Sequence, residues 1–125
     1  PVSGKRLSNG CVLPRCNLYN SHILVLNRKN GQLLNKYLLE NTQIDGCTYD
    51  KSYCYVTCTE ANGSGFILRF KLDCNYNFTD IIKIPCAGFP HGIAIYNDLI
   101  SYTSYTESAL FIHKLTDFIS SSYPL

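Results

Sequence analysis

The chain has 125 residues, a length that predicts one domain, residues 1–125, with room for a hydrophobic core. Hydrophobic residues make up 46% and charged residues 16%, which excludes an intrinsically disordered chain. The net charge of +2 is spread thinly and no apolar stretch approaches the length of a membrane-spanning helix, so we expect neither a nucleic acid partner nor a membrane span.

Short strands separated by turn signals are predicted from residue 22 onward. HILVLNR (22–28) and NKYLLE (35–40) are joined by a turn around NG. A second group follows as GCTYD, YCYVTCT, FILRFKL and FTDIIKI, and a third as GIAIYN, LISYTSY and ALFIHKL. Because β-branched and aromatic residues dominate these segments and none has a helical pattern, the sequence predicts an all-β fold of antiparallel strands.

The second and third groups repeat each other. Gly46 and Gly92 are 46 residues apart, as are Thr57 and Thr103. FILRFKL and ALFIHKL follow at an offset of 43, because the second loop is three residues shorter, and HILVLNR matches FILRFKL at an offset of 44. Length changes confined to loops are typical of a structural repeat. We therefore expect three copies of a four-stranded unit, at about residues 1–41, 42–86 and 87–125.

The apolar face of each predicted strand defines the expected core. The residues expected to be mostly buried are Leu24, Leu26, Val56, Leu68, Phe70, Ile93, Ile95 and Phe111. His113 shares the face of Phe111 and is interpreted as a core histidine, not a catalyst, and His22 is interpreted in the same way.

The segment FPHGIAIYNDLISYTSYTESALFIHKL resembles the blades of NHL-type, YncE-like and lactonase-like β-propellers. In those families a Pro-x-Gly-(Ile/Val)-Ala opening begins the innermost strand of a four-stranded blade. The resemblance covers residues 44–115 well and 12–40 more weakly, and it implies a partial β-propeller of antiparallel four-stranded blade repeats. About two and two-thirds blades are present, whereas such propellers close with five to eight. The resemblance therefore implies two end faces that something must cover.

His91 and Asp45 are the candidate ligand-binding residues. The resemblance implies that the loop carrying His91 enters the innermost strand near the central channel, and that Asp45 holds the equivalent position in the second copy. The two side chains could share a metal ion. The alternative is that His91 caps a turn and that Asp45 accepts hydrogen bonds from backbone amides.

No catalytic residue, dedicated metal site or cofactor is predicted. Ser64 lies between glycines, but it lacks the strand-to-helix context of a nucleophile elbow. Seven cysteines are present, and none has C-x-x-C spacing. Cys54 and Cys58 lie in one predicted strand with their Cα atoms about 13 Å apart, too far for a disulfide. We expect most of the cysteines to be buried thiols or structural bridges.

Two functions fit these patterns. The first is a non-catalytic structural or protein-interaction module built of propeller-type blades, completed by self-association or by a partner chain. The ten tyrosines suit such an interface, because each combines an apolar ring with a polar hydroxyl. The second is a fragment of a larger six- or seven-bladed propeller enzyme, such as a lactonase-like hydrolase or lyase. In both cases a free monomer of this chain is not expected.

Overall fold

The computed structural model describes residues 20–125, and within them the chain forms ten β-strands and one short helix. The elements are β1 (Asn20–Leu26), β2 (Leu33–Glu40), β3 (Thr42–Tyr49), β4 (Cys54–Glu60), β5 (Gly65–Leu72), β6 (Phe78–Cys86), β7 (Pro90–Tyr96), β8 (Leu99–Ser104), β9 (Ala109–Lys114), α1 (Leu115–Ile119) and β10 (Tyr123–Pro124). Cys11, Cys16 and the expected opening of the first copy lie outside the described residues.

The strands form three antiparallel sheets. β1 and β2 make the first sheet, β3 to β6 with β10 make the middle sheet, and β7 to β9 make the third sheet. In the middle sheet the order is β10-β6-β5-β4-β3, so consecutive strands are neighbours and β10 lies at the outer edge. The predicted all-β, antiparallel fold is therefore confirmed. No helix in residues 20–125 is long and apolar enough to cross a membrane.

Short polar side chains fix the hairpin turns, because each accepts hydrogen bonds from backbone amides a few residues later. Between β1 and β2, Asn27 Oδ1 accepts from the N–H of Lys29 at 2.8 Å. Between β3 and β4, Asp50 Oδ1 accepts from the N–H of Tyr53 at 2.8 Å. Between β5 and β6, Asp73 Oδ1 accepts from two backbone amides in the same manner. The predicted turn positions follow directly from this chemistry.

The middle sheet is covered on both faces. Because side chains alternate along a strand, neighbouring residues of β4 point to opposite sides. Val56 belongs to a cluster that the first sheet completes through Leu39, whereas Tyr55 belongs to a second cluster that the third sheet completes through Tyr102. The buried members of the first cluster are Leu39, Val56, Cys58, Phe66, Leu68 and Phe70. The buried members of the second are Tyr55, Ile67, Ile84, Ile100, Tyr102 and Phe118.

The two end sheets each have one covered and one exposed face. The prediction that Leu24 and Leu26 are buried is wrong, since both are about half exposed, at 54% and 51%. Burial alternates along β1, and the odd-numbered Ile23 contacts the core while its even-numbered neighbours point outward. The third sheet ends in the same way, with Leu110 and Ile112 exposed on β9.

Of the remaining predicted core positions, three are buried and three are half-buried. Val56, Leu68 and Phe70 are buried in the first cluster. Ile93, Ile95 and Phe111 are half-buried and pack against the second.

The last residues of the chain leave the third sheet. α1 follows β9 directly and buries Phe118 in the second cluster. β10 then pairs with β6 of the middle sheet, with Tyr123 opposite Lys83 and Pro124 opposite Ile82. No pattern in the sequence predicted this helix, which has only five residues.

Candidate functional site

A buried threonine joins the middle and third sheets where β3 and β7 meet. The N–H of Gly46 donates to Thr57 Oγ1 at 2.8 Å, and the Thr57 hydroxyl donates to the carbonyl oxygen of His91 at 2.8 Å. A Cβ added to Gly46 would lie only 2.5 Å from that carbonyl oxygen. The two sheets therefore approach so closely that only glycine fits, and the fully buried Thr57 hydroxyl connects their backbones.

The same arrangement recurs one sheet further along, on the outward face. The N–H of Gly92 donates to Thr103 Oγ1 at 3.0 Å. A Cβ on Gly92 would meet only the Thr103 hydroxyl, at an ordinary 3.5 Å. Thr103 is exposed, and in residues 20–125 no neighbouring strand supplies a carbonyl for its hydroxyl to bond. We call each of these glycine–threonine arrangements a joint. The Gly46–Thr57 joint is occupied by the carbonyl oxygen of His91, and the open joint, Gly92–Thr103, presents the same groups to solvent.

The structure places the candidate ligands Asp45 and His91 on β3 and β7, which belong to the middle and third sheets, and each residue lies beside an irregularity in strand pairing. The register shifts between Ile44 and Gly46 on β3, and between Pro90 and Ile93 on β7. Bulges of this kind redirect side chains. Both candidate side chains are exposed as a result.

Their surroundings differ. Asp45 Oδ1 accepts a 2.9 Å hydrogen bond from the Gln43 side chain, where the alternative interpretation expected backbone amides. The His91 ring packs 6.0 Å from Phe89 and 5.8 Å from Tyr105, and it lines a cavity of about 460 Å³ together with Thr103. Within the described residues, no three His, Cys, Asp or Glu side chains are grouped to hold a metal ion. A ligand shared by His91 and Asp45 stays a prediction.

The other two histidines have different environments. His113 is half-buried and stacks 4.9 Å from Phe118 and 6.0 Å from Tyr102, so it packs against the second cluster. His22 is exposed on the outward face of β1, so the corresponding interpretation of His22 is wrong.

A second cavity, of about 580 Å³, lies between the β3–β4 turn, the β7–β8 turn and α1. We call it the tyrosine–arginine pocket, after the lining side chains Tyr49, Tyr53, Tyr55, Tyr96 and Arg69. The Arg69 guanidinium lies 3.8 Å from the centre of the Tyr53 ring, a cation–π contact. Its Nε is buried without a hydrogen-bond partner, and neither ion pair of the described residues involves it.

Asp50 balances part of this charge. Burial alone would raise the pKa of Asp50, but backbone hydrogen bonds from Ser52 and Tyr53, a 2.9 Å bond from the Tyr55 hydroxyl and the charge of Arg69 together lower it. Burial and the adjacent Asp50 carboxylate raise the pKa of the Tyr55 hydroxyl. Asp50 is thus a fixed anion that holds the turn, and the pocket offers aromatic surface and a cation. These groups can bind a ligand through aromatic contacts and the cation.

Sequence reasoning missed Arg69 and Asp50. One signal was available, since Arg69 is a charged residue inside the otherwise apolar run FILRFKL. Comparisons of the chain with protein-family models, with curated proteins and with solved structures found no match.

Proposed function

We propose that this chain is a non-catalytic structural or protein-interaction module built of propeller-type blades, whose end faces are completed by further copies of itself or by a partner chain. The observation that carries the proposal is a difference between equivalent positions. Ile67 on the middle sheet is fully buried, whereas Leu110, its counterpart 43 residues later on the third sheet, is 60% exposed. An apolar side chain that is buried in one unit and solvent-exposed at the equivalent position of the next indicates a surface that forms an interface with another protein chain.

The blade interpretation is supported by the local geometry of the units. β3 to β6 form an uninterrupted four-stranded meander, and β7 to β9 form its first three strands again. The glycine-to-threonine hydrogen bond recurs 46 residues apart, at Gly46–Thr57 and at Gly92–Thr103. Face-to-face packing of the sheets, with close approach at the first strand of each unit, is what neighbouring blades require.

The exposed faces are large enough to drive association. Three apolar side chains on each end face, Leu24, Leu26 and Leu38 on one and Leu99, Leu110 and Ile112 on the other, are at least 45% exposed. Covering several hundred Å² of apolar surface at about 25 cal/mol per Å² stabilises by roughly 10 kcal/mol before ordering costs are subtracted.

Sedimentation velocity of the 125-residue chain at micromolar concentration tests the proposal. We expect species larger than the 14.1 kDa monomer, or a monomer that binds an apolar dye strongly. Combining Leu24→Lys with Ile112→Lys should reduce both association and dye binding. Asn75→Lys adds one charge of the same sign in the β5–β6 turn, away from either face, and should change neither. A compact wild-type monomer without dye binding would contradict the proposal.

The second function, a fragment of a larger propeller enzyme, stays a prediction. The intact mass of the natural polypeptide separates it from the first. A species several-fold larger than 14.1 kDa favours the enzyme fragment, and a species of about that mass favours the module.

A further inference from the structure

Resting on the proposed function, we infer that the two end faces are complementary to each other, so that two copies of this chain dock head to tail. The tail face is the outward face of the third sheet, with Thr103, Leu110 and Ile112. The head face is the outward face of the first sheet, with Leu24 and Leu26. In the docked pair, the tail face of one chain covers the head face of a second copy.

The contact between the middle and third sheets is the template for the tail face. There the middle sheet presents Ile67 and Thr57, and both are fully buried against the third sheet. Leu110 stands 43 residues after Ile67 and Thr103 stands 46 residues after Thr57, at equivalent strand positions. The tail face therefore carries the counterparts of a face that is already covered by a sheet in this molecule.

The contact between the first and middle sheets is the template for the head face. The middle sheet presents Leu68 and Phe70 toward the first sheet, and both are buried in the first cluster. Leu24 and Leu26 stand 44 residues before them on β1. The head face thus corresponds to the surface that receives a preceding sheet. Docking of the tail face onto the head face would therefore repeat the sheet packing that the chain already has between its first and middle sheets and between its middle and third sheets.

The identity of the occupant follows from these two templates. Each chain carries one face of each kind, and a lysine lies beside the apolar side chains of each, Lys36 opposite Leu24 on the head face and Lys114 opposite Leu99 on the tail face. A second copy therefore supplies the matching face. The two faces are different surfaces, so the contact is heterologous, and each chain retains one free face until a ring closes.

The open joint on β7 sets how closely the neighbour approaches. In the occupied joint, the carbonyl oxygen of His91 accepts from Thr57 and lies where a side chain on Gly46 would be. At the open joint, we assign the corresponding position beside Gly92 and Thr103 to a backbone carbonyl of the neighbouring copy. A side chain at position 92 would block this approach without disturbing the isolated chain, because its Cβ makes only an ordinary 3.5 Å contact with the Thr103 hydroxyl.

Complementation of two blocked variants tests the arrangement. Leu24→Lys blocks the head face, and Ile112→Lys blocks the tail face; both replaced side chains are more than half exposed, at 54% and 61%, so folding should persist. Each variant alone should be monomeric, because every contact needs one intact face of each kind. An equimolar mixture should form a 1:1 heterodimer that grows no further. Unchanged thermal melts and circular dichroism spectra verify folding, and Leu26→Lys with Leu110→Lys provides a second pair.

Other outcomes of this mixing experiment overturn the inference. If either single variant still self-associates, or if the mixture stays monomeric while the wild type associates, the copies do not dock head to tail, although the module proposal stands. A wild-type chain that is monomeric throughout overturns the docking. If that monomer also binds no apolar dye, the proposed function fails with it.

The joint itself is tested with two further variants. Gly92→Val should abolish association without lowering the melting temperature of the monomer. Thr103→Val should weaken association about fivefold to tenfold, the effect of one lost hydrogen bond. Wild-type affinity in both variants would exclude this joint from the contact and overturn its assignment.

Discussion

The Thr57 hydroxyl donates a 2.8 Å hydrogen bond to the carbonyl oxygen of His91, and this single side chain ties two sheets together through their backbones. The residues are 34 positions apart in the sequence. Because Thr57 also accepts from the Gly46 N–H, one hydroxyl satisfies two partly buried backbone groups. The exposed pair Gly92 and Thr103 repeats this hydrogen bond without the partner carbonyl, so it is a matched control for replacements at Gly46 and Thr57.

Thr57→Val is expected to destabilise the chain by about 1–3 kcal/mol, because it leaves the partly buried Gly46 N–H and His91 carbonyl without their partner. Thr103→Val makes the same chemical change at an exposed position, where water replaces the hydroxyl, and should cost less than about 0.5 kcal/mol. Urea denaturation in the Ile112→Lys background measures both values without a contribution from association. Equal losses would show that the Thr57 hydrogen bonds do not stabilise the joint.

Replacing the two glycines should have opposite effects. Gly46→Ala places a methyl group 2.5 Å from the His91 carbonyl oxygen, so the sheets must separate and the free energy of unfolding must fall. Gly92→Ala meets only an ordinary contact and should be neutral, or stabilise by up to about 1 kcal/mol by restricting the unfolded chain. Chemical denaturation of the two variants under identical conditions checks the signs. A Gly46→Ala chain as stable as Gly92→Ala would contradict the close approach of β3 and β7.

Phe70→Ala should cost on the order of 3–5 kcal/mol, because it empties a buried position that packs against Phe78 at 4.9 Å. Leu24→Ala removes an apolar side chain from the exposed head face and should cost less than about 1 kcal/mol. Thermal melts of both variants in the Ile112→Lys background give the comparison. If Leu24→Ala were the more damaging change, the assignment of inner and outer faces on β1 would be wrong.

The contribution of Asp50 to the free energy of unfolding should depend on pH. Its pKa in the folded chain is lowered relative to an unfolded value of about 3.9, so the unfolded state binds more protons near that pH. The contribution is therefore fully present above about pH 4 and is lost as the pH falls through the folded pKa. Asp50→Asn should therefore lose less stability than the wild type as the pH is lowered below about pH 4, measured by denaturation at each pH. Tyr55→Phe, which removes one donor to this carboxylate, should fall between the two.

The described cysteines should divide by reactivity. Burial raises the pKa of both Cys58 and Cys86 to about 12, so very little thiolate forms at pH 8. Cys47 and Cys74 are exposed free thiols, whereas Cys58 is buried and Cys54 and Cys86 are partly buried. Native alkylation with N-ethylmaleimide, read by peptide mass spectrometry, should label Cys47 and Cys74 first. Rapid native labelling of Cys58 would contradict its placement in the core.

Strand positions were predictable because alternation is a local property. FILRFKL, predicted as one strand, becomes β5 with Phe66, Leu68 and Phe70 on one face. Which face is covered was less predictable. Leu24 has the same local pattern as Leu68, yet only Leu68 has a sheet packed over it, and no local signal reports that difference.

The missed features depend on contacts between distant segments. α1 has no side-chain N-cap and only five residues, and its burial of Phe118 against the second cluster is a tertiary contact. The position of Arg69 over Tyr53 depends on the register of β4 and β5, in which Tyr55 pairs with Arg69. Of the candidate site, the Gly and Thr spacing was visible in the sequence, but the hydrogen bond that closes the joint was not.

The pairing of β10 with β6 has a mechanical consequence. Tension applied at Leu125 does not load the third sheet, although that sheet immediately precedes the tail in the chain, because Tyr123, Pro124 and the Leu125 N–H are attached to the edge of the middle sheet. The force therefore acts first on the middle sheet, which is packed on both faces. The third sheet bears no tension until the pairing of β10 with β6 breaks. A single-molecule pulling experiment from the C-terminus should therefore register a small early rupture, followed by unravelling of β9 and β8.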